Sequence, residues 1–351
     1  MRPLSLRDFE AVARGRLRPE VFDFIAGGAE DELTLTANEA AYAGIGLLPR
    51  VLRGAGPGGP RRLEVDLLGS RLSLPVLLGP TAFHRLVHPD GEVATARAAA
   101  KSGTVLCVGM ASTVAVEEVA ATGAELWFQL YIQPDLGFTE AVVRRAEAAG
   151  CRALVVTVDS PVFGRRERDL DNGFLDLPAG LRCENMAEPE PDGGWGAPRA
   201  IGWRPELSWA DIEWLRARTV LPIVLKGLCH PADARLAVEH GADAVLVSNH
   251  GGRQLDTVPA TIDLLPAVAD AVAGAVPVLV DGGIRRGTDV VKALAHGATA
   301  VGIGRPVLWG LSAGGSQGVG DVLEMLRDEL DRVLTLCGCR GLDEVGRELL
   351  C

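Results

Sequence analysis

Side chains that can move a proton or hold an anion stand at the ends of short apolar runs along the chain. His250 closes the run ADAVLVSN, Lys226 follows LPIVL, and Tyr131 lies in ELWFQLYI. A histidine of near-neutral pKa can act as a base, and a fixed lysine can stabilise developing negative charge. Taken singly, His250 is more often a packed histidine, and Lys226 could extend to solvent. Seven of eight such runs end in polar groups, which favours one shared active site.

The other run ends add hydrogen-bonding and anion-binding groups. These residues are Pro80, Thr81, Ala82, Gln129, Thr157, Asp159, Ser248, Asp281, Gly283, Arg285, Gly304 and Arg305. The segments DGGIRRG (281–287) and IGRP (303–306) combine glycines with arginines, the composition of a phosphate site built from backbone amides. Gly282 and Gly283 could instead be simple turn residues. Since no Walker loop is present, a phosphate here would belong to a cofactor or a sugar phosphate.

Eight apolar runs alternate with amphipathic stretches, and this order predicts an α/β fold of the (β/α)8 TIM-barrel type. We predict strands at 75–82, 104–111, 125–132, 153–159, 221–227, 242–251, 276–283 and 299–306. We predict intervening helices at 91–103, 139–150, 231–241 and 288–297, each closed by a glycine. Continuous hydrophobicity in the strands indicates burial on both faces, as inside a ring of helices. Barrel enzymes carry their chemistry where strands end, so the polar groups should converge at one mouth.

Two segments lie outside the repeats of a single domain spanning 1–351. Residues 1–74 predict two helices followed by a hairpin, LEVDLLGSRLSLP, across the N-terminal mouth of the barrel. Residues 160–207, after the fourth strand, are rich in Gly, Pro and acidic residues and too long for a routine connection. We expect this insertion to be a mobile active-site lid.

Composition excludes several classes of protein. The net charge is −11 without a basic tract, so nucleic-acid binding has no electrostatic basis. No apolar stretch reaches membrane-spanning length, and we expect a cytoplasmic protein without a membrane partner. The seven cysteines are scattered, and Cys337 and Cys339, the one close pair, lack zinc-knuckle spacing. We expect free thiols and no metal.

The motifs resemble those of the FMN-dependent 2-hydroxy acid oxidases and dehydrogenases, nearly from end to end. SNHGGRQLD (248–256) is the most specific, and AGGAEDELTL, GPTA, QLY, TVDSPVFGRRERD, LKG, DGGIRRG and IGRP occur in the same order. The resemblance implies a homotetramer with FMN across the barrel mouth. It implies flavin and ribityl contacts from Pro80, Thr81, Ala82, Gln129, Thr157, Lys226 and Ser248, and phosphate contacts from Asp281, Gly283, Arg285, Gly304 and Arg305.

The same resemblance implies roles at the substrate. His250 would be the base, Asp159 would pair with its imidazolium, and Tyr131 would bond the substrate hydroxyl. Arg166 and Arg253 would hold the carboxylate, as a planar guanidinium does well. His250 could take the α-proton first, or the hydroxyl proton while hydride leaves the substrate; we favour the second.

Two departures from the family pattern bear on specificity. Phe24 occupies a position where many members carry a tyrosine, and Gly109, Met110 and Ala111 replace serines and a tryptophan of glycolate oxidases. We therefore expect a bulky or aromatic (S)-2-hydroxy acid such as mandelate, with glycolate or lactate as the alternative.

Other readings remain open beside this one. The chain shows no haem domain and no membrane-binding insertion, so reoxidation by O2 is favoured over an acceptor-linked dehydrogenase. Type 2 isopentenyl diphosphate isomerase and the IMP dehydrogenase group share the phosphate mouth, but they do not require His250 and Arg253 in this arrangement. A non-catalytic scaffold would not need to keep the whole catalytic set.

Overall fold

Eight parallel strands close into a barrel at the centre of the molecule. A computed structural model describes residues 3–54, 61–190 and 194–351. Its strands, in chain order, are β1 (Val65–Leu67), β2 (Ser70–Leu72), β3 (Val76–Leu78), β4 (Val105–Gly109), β5 (Glu125–Leu130), β6 (Leu154–Thr157), β7 (Ala187–Pro189), β8 (Trp195–Pro198), β9 (Ile223–Leu228), β10 (Ala244–Val247), β11 (Val278–Asp281) and β12 (Ala300–Ile303). Strands β3 to β6 and β9 to β12 pair in sequence order around the closed barrel. The predicted (β/α)8 barrel is confirmed, and only β9 runs past its predicted range, by one residue.

Helices surround the barrel. They are α1 (Leu6–Arg16), α2 (Pro19–Ala26), α3 (Leu33–Gly44), α4 (Gly91–Ser102), α5 (Val116–Ala120), α6 (Leu136–Ala148), α7 (Glu167–Asp171), α8 (Trp209–Arg216), α9 (Pro231–Glu239), α10 (Thr261–Val272), α11 (Gly287–Ala295) and α12 (Arg305–Cys337). The four predicted helices correspond to α4, α6, α9 and α11. Helix α12 is interrupted where Gly314 and Gly315 leave helical geometry. No helix in the described ranges is both long and apolar enough to cross a membrane.

The β1–β2 hairpin closes the N-terminal mouth, as predicted. Leu67 and Leu72 are fully buried against inward-facing strand residues such as Leu77 and Trp127. The Trp127 indole also donates to Ser70 Oγ of the hairpin at 3.2 Å. With this end filled by side chains, the C-terminal mouth is left for ligands.

Three helices precede the hairpin, so the prediction of two was wrong. Leu17 and Arg18 are extended. For Arg18 the cause is Pro19, since a proline disfavours helical geometry in the residue before it. Pro19 then begins α2 at a position where its missing N–H costs nothing. Residues 1, 2 and 55–60 of this predicted segment lie outside the described residues.

Helix α3 is anchored to the loop after β10. The Asp256 carboxylate accepts hydrogen bonds from the backbone N–H groups of Leu33 at 3.2 Å and Thr34 at 2.8 Å. A distant part of the chain thus supplies the cap of α3. The side-chain amides of Asn38 and Asn249 bond each other reciprocally at 2.9 and 2.8 Å. The N-terminal segment therefore fixes the loop that carries His250.

The insertion at 160–207 lies over the C-terminal mouth. It contains α7, the antiparallel pair β7–β8 and a short 3-10 helix, Glu184–Met186, while 191–193 lie outside the described residues. Phe163 and Trp203 from this segment contact each other at 5.5 Å between ring centroids and line the mouth. The position suits a lid, and its mobility stays a prediction.

Candidate active site

A cavity of about 740 Å³ occupies the C-terminal mouth. Its volume suits a cofactor with a small substrate. Most of the residues singled out in the sequence line it. They are Phe24, Pro80, Thr81, Ala82, Ala111, Gln129, Tyr131, Thr157, Arg166, Lys226, His250, Arg253, Asp281, Gly283, Arg285, Gly304 and Arg305. Gly109 and Gly282 line it as well. The exceptions are Met110, which is fully buried in the core, and Asp159 and Ser248, which lie behind His250. Ser248 is fully buried, and its hydroxyl accepts the His250 backbone N–H at 3.1 Å.

His250 and Asp159 form a hydrogen-bonded pair. His250 Nδ1 lies 2.8 Å from Asp159 Oδ1, and Ser160 Oγ donates to the same carboxylate oxygen at 3.1 Å. With Nδ1 engaged, Nε2 is the ring nitrogen free to meet a ligand. His250 also adopts a left-handed backbone conformation, with φ at 57°. Such a conformation is uncommon outside glycine and frequent at functional sites.

The electrostatics of this pair suit a base. Burial lowers the pKa of His250 and nearby Lys226 lowers it further, although Asp159 opposes both effects, so the imidazole is neutral near pH 7. Burial alone would raise the pKa of Asp159, but His250 and Lys226 outweigh it and lower that pKa to about 2. An ionised Asp159 can therefore stabilise the imidazolium once His250 has taken a proton.

Lys226 and Tyr131 lie next to this pair in the cavity wall. Burial alone would lower the pKa of Lys226, but Asp159 and Asp281 outweigh it and the pKa is raised, so the ammonium stays charged. Its Nζ is 4.0 Å from Asp281 Oδ2. Burial raises the pKa of Tyr131 to about 12, which keeps its hydroxyl protonated and able to donate.

Two guanidinium groups flank an aromatic ring at the substrate end. Arg166 Cζ is 5.3 Å and Arg253 Cζ 5.1 Å from the centroid of Phe24, and Arg166 also packs over Phe163 at 4.0 Å. These distances are those of cation–π contacts. Burial and repulsion from Arg166 hold the pKa of Arg253 well below its usual value. Asp169 bonds Arg166 at 3.2 Å. An anion between the two arginines would still relieve their repulsion.

A second pair of arginines, Arg285 and Arg305, lies near β11 and β12, and Arg305 shares the Gly27 carbonyl with Arg253. Burial and the neighbouring Arg285 lower the pKa of Arg305 to about 10. Arg305 donates to the backbone carbonyls of Ile25, Gly27 and Gly251, while Arg285 bonds Glu39 at 3.0 Å. Arg285 Nε is buried without a partner among the described residues.

Gly283, predicted to serve the phosphate site, also fixes the backbone. Its φ is +82°, and a Cβ there would lie 1.8 Å from the Asn38 carbonyl oxygen. The loop after β11 can therefore touch α3 only because it carries glycine.

The residues present fit a flavin mononucleotide. The buried Arg285 Nε offers a free donor to a phosphate, and Asp281 Oδ1, buried and unpartnered in the described residues, offers an acceptor to ribityl hydroxyls. Lys226 places a buried positive charge 4.0 Å from Asp281 and within electrostatic reach of His250, where electron-rich flavin would need one.

Several site residues were not found from the sequence. Phe83, Phe163, Phe174 and Trp203 line the cavity, and Gln254 joins the loop after β10 to the insertion. Its amide donates to the carbonyls of Asp159 at 3.1 Å and Val162 at 3.0 Å. For Phe163, Phe174 and Trp203, the signal that could have been read was the presence of aromatic residues within an otherwise polar, glycine-rich insertion.

Comparisons with known proteins find related sequences and structures over nearly the whole chain. The model of the FMN-dependent dehydrogenase family matches residues 13–351. L-lactate oxidase from Nostoc sp. is 46% identical over 99% of this chain and 98% of its own, and glycolate oxidase from Spinacia oleracea is 45% identical over 98% and 94%. A crystal structure of mandelate oxidase with 3,3-difluoro-2-hydroxy-3-phenylpropionic acid matches with a TM-score of 0.90 and 44% identity, covering 99% of this chain and 98% of that one.

Proposed function

Because this chain belongs to the FMN-dependent dehydrogenase family, we propose that it oxidises a bulky or aromatic (S)-2-hydroxy acid to the corresponding 2-oxo acid. One observation carries the proposal: a neutral His250 backed by ionised Asp159 shares a cavity with Arg166 and Arg253. A base and an anion clamp in one cavity are what a hydroxy acid requires.

Each side chain then has a defined role. Arg166 and Arg253 bind the substrate carboxylate and orient its Cα. His250 Nε2 accepts the hydroxyl proton, Asp159 stabilises the resulting imidazolium, and the Tyr131 hydroxyl bonds the substrate oxygen. FMN, when bound, supplies a two-electron acceptor that O2 can reoxidise to give hydrogen peroxide.

The apolar wall supports the choice of a large substrate. Phe24 stacks on Phe83 at 5.5 Å and meets Phe174 at 5.1 Å, while Trp203 packs edge-on against Tyr131 at 5.4 Å. Ala111 and Gly109 add little bulk to the same cavity. An aromatic ring gains more from such a wall than glycolate does, since stacking and apolar burial scale with contact area.

The first experiment follows the visible spectrum of the purified protein without oxygen. Addition of (S)-mandelate should bleach a bound yellow flavin faster than (S)-lactate or glycolate at equal concentrations, and admission of air should restore the colour with one hydrogen peroxide per turnover. Faster bleaching by glycolate or lactate would instead identify a short-chain oxidase, the activity named for the Nostoc and spinach relatives. A flavin bleached by none of these acids would refute the proposal.

The aromatic wall has its own test in the insertion. Trp203→Ala should raise the KM for (S)-mandelate about tenfold and change the kcat/KM for glycolate less than threefold, because one aromatic contact is lost. Trp195→Ala is the matched control: this tryptophan belongs to the same insertion but packs on Arg145 at 4.3 Å, away from the cavity lining. Equal losses for both acids in Trp203→Ala would argue against an aromatic subsite.

We further propose that the protein is a cytoplasmic homotetramer. The family resemblance supports this assembly, and so do the exposed apolar side chains Val162, Leu170, Leu175 and Leu255 around the mouth, since such patches often mark contact surfaces. Light scattering coupled to gel filtration should give about four times the 36.9 kDa chain mass. A monomer at micromolar concentration would exclude it.

A further inference from the structure

His84 lies behind the cavity wall with both ring nitrogens hydrogen-bonded. Its Nε2 is 2.7 Å from Thr81 Oγ1, and its Nδ1 is 2.9 Å from Thr95 Oγ1 on α4. His84 is 1% and Thr95 0% exposed, and neither lines the cavity, whereas Thr81 does. The three side chains form a chain of hydrogen bonds from α4 to the cavity.

The hydrogen-bond partners of Thr95 and His84 indicate which atom carries each proton. Within the described ranges, Thr95 Oγ1 has no hydrogen-bond partner other than His84 Nδ1, so the Thr95 hydroxyl can place its proton only on that nitrogen. Burial lowers the pKa of His84, so the ring is neutral near pH 7. Because Nδ1 accepts from Thr95, the neutral ring carries its proton on Nε2, which faces Thr81 Oγ1.

This tautomer of His84 determines where the hydroxyl proton of Thr81 points. Because Nε2–H donates to Thr81 Oγ1, the hydroxyl proton of Thr81 is not used by His84. We propose that Thr95 and His84 are positioning residues that direct the Thr81 hydroxyl proton into the cavity. The inference rests on the proposed function, since the acceptor it would meet is a ring nitrogen or carbonyl of oxidised flavin.

The backbone around His84 is fixed by other hydrogen bonds, which do not involve Thr81 or Thr95. The buried Glu92 carboxylate accepts the His84 backbone N–H at 3.1 Å and the Thr113 N–H at 2.9 Å, joining the loops after β3 and β4. Loss of the Thr95 hydroxyl should therefore reorient hydrogen bonds without displacing the loop.

Thr95→Val tests the proposal at a distance from the cavity. The dissociation constant of FMN, measured on apoprotein by fluorescence, should rise about fivefold, the effect of one hydrogen bond. The visible band of bound flavin should also shift. Thr95→Ser keeps the hydroxyl and should restore both values to within twofold. Thr104→Val removes another buried threonine hydroxyl, bonded to Val76 at the far end of the barrel, and should leave both values unchanged.

A double mutant separates this role from a general packing effect. In a Thr81→Val background, Thr95→Val should cause no further loss of FMN affinity, because the hydroxyl it positions is gone. Additive losses, or a Thr95→Val protein with the wild-type dissociation constant and spectrum, would overturn the inference. A protein that binds FMN but oxidises no 2-hydroxy acid would refute the proposed function alone, while a protein that binds no FMN would refute both.

Discussion

His250 and Asp159 are 91 positions apart in the sequence and are joined by one 2.8 Å hydrogen bond. The carboxylate stabilises the protonated imidazole, whereas burial and Lys226 favour the neutral form. The pKa of His250 lies below the usual 6.5. Since the neutral form is the base, kcat/KM should rise with pH through this pKa and then level off.

Asp159→Asn should lower kcat about 100-fold, because the imidazolium loses its partner. It should also move the acidic limb of the pH profile to lower pH, since Asp159 raises the pKa of His250. Measuring kcat and kcat/KM for (S)-mandelate between pH 4.5 and 8 checks both effects. Ser160→Ala, which removes a 3.1 Å bond to Asp159 and a 3.4 Å contact with His250 Nδ1 but keeps the carboxylate, should cost less than tenfold. An unmoved acidic limb would mean that Asp159 does not act through His250.

Most of the catalytic and ligand-binding residues could be predicted from the sequence, but the residues to which they hydrogen-bond could not. Run ends indicated His250, Lys226 and Tyr131 because polar groups seldom end buried strands without a reason. The three carbonyls bound by Arg305 and the pairing of Arg285 with Glu39 join segments far apart in the chain, which no local pattern carries. His84 escaped notice for the same reason.

Helix α3 shows how an element gains a cap that its own sequence lacks. Its N-cap residue, Glu32, has a left-handed backbone and no capping side chain, and Asp256 supplies the acceptors instead. Burial alone would raise the pKa of Asp256, but the N–H groups of Thr34, Thr257 and Leu33 outweigh it and the pKa is lowered. The carboxylate therefore stabilises the fold in its ionised form.

Asp256→Asn should reduce the free energy of unfolding by about 1 to 2 kcal/mol at pH 7, the value of a cap bonded to a charged group. Because the folded pKa is lowered, this contribution is complete above the unfolded value of about 3.9 and disappears as pH falls through the folded value. Denaturant melts from pH 7 to pH 2 should show a constant difference above about pH 4 and convergence of the two proteins below it. Asp171→Asn, at an exposed carboxylate of α7, serves as control. A constant difference across this range would contradict the role of ionised Asp256.

Elements of the barrel were predictable because each repeats one pattern, an apolar run followed by an amphipathic stretch. The N-terminal region has no repeat, and its division into α1, α2 and α3 depends on Pro19 and on the cap from Asp256. The insertion follows neither helical nor strand periodicity over most of its length, so only its position could be predicted.

Across the whole molecule, positive charge gathers in the cavity of a chain whose net charge is −11. Five arginines and the buried Lys226 line one mouth, and burial together with repulsion between arginines lowers the pKa of Arg253 and of Arg305. Anionic ligands in the cavity should therefore stabilise the fold as well as occupy it.

Adding FMN to the apoprotein at 100 times its dissociation constant should raise the melting temperature by about 4 °C. Riboflavin at the same concentration should raise it by about 1 °C or less, because it brings no phosphate to Arg285 and Arg305. Differential scanning fluorimetry with FMN, riboflavin and inorganic phosphate makes the comparison. Equal shifts with FMN and riboflavin would show that the loops after β11 and β12 do not hold the phosphate.

The reciprocal hydrogen bonds between Asn38 and Asn249 join positions 211 residues apart, and the hydrogen bond from Thr34 to Asp256 spans 222 residues. Contacts of such long range form late when a chain refolds from denaturant, since much of the intervening polypeptide must already be ordered. Helices of the barrel such as α4 and α9 depend on local contacts and can form before the distant segments meet. During refolding, the far-ultraviolet helical signal should accordingly recover before FMN binding does. The rate of FMN binding would then report the rate of the last step of folding.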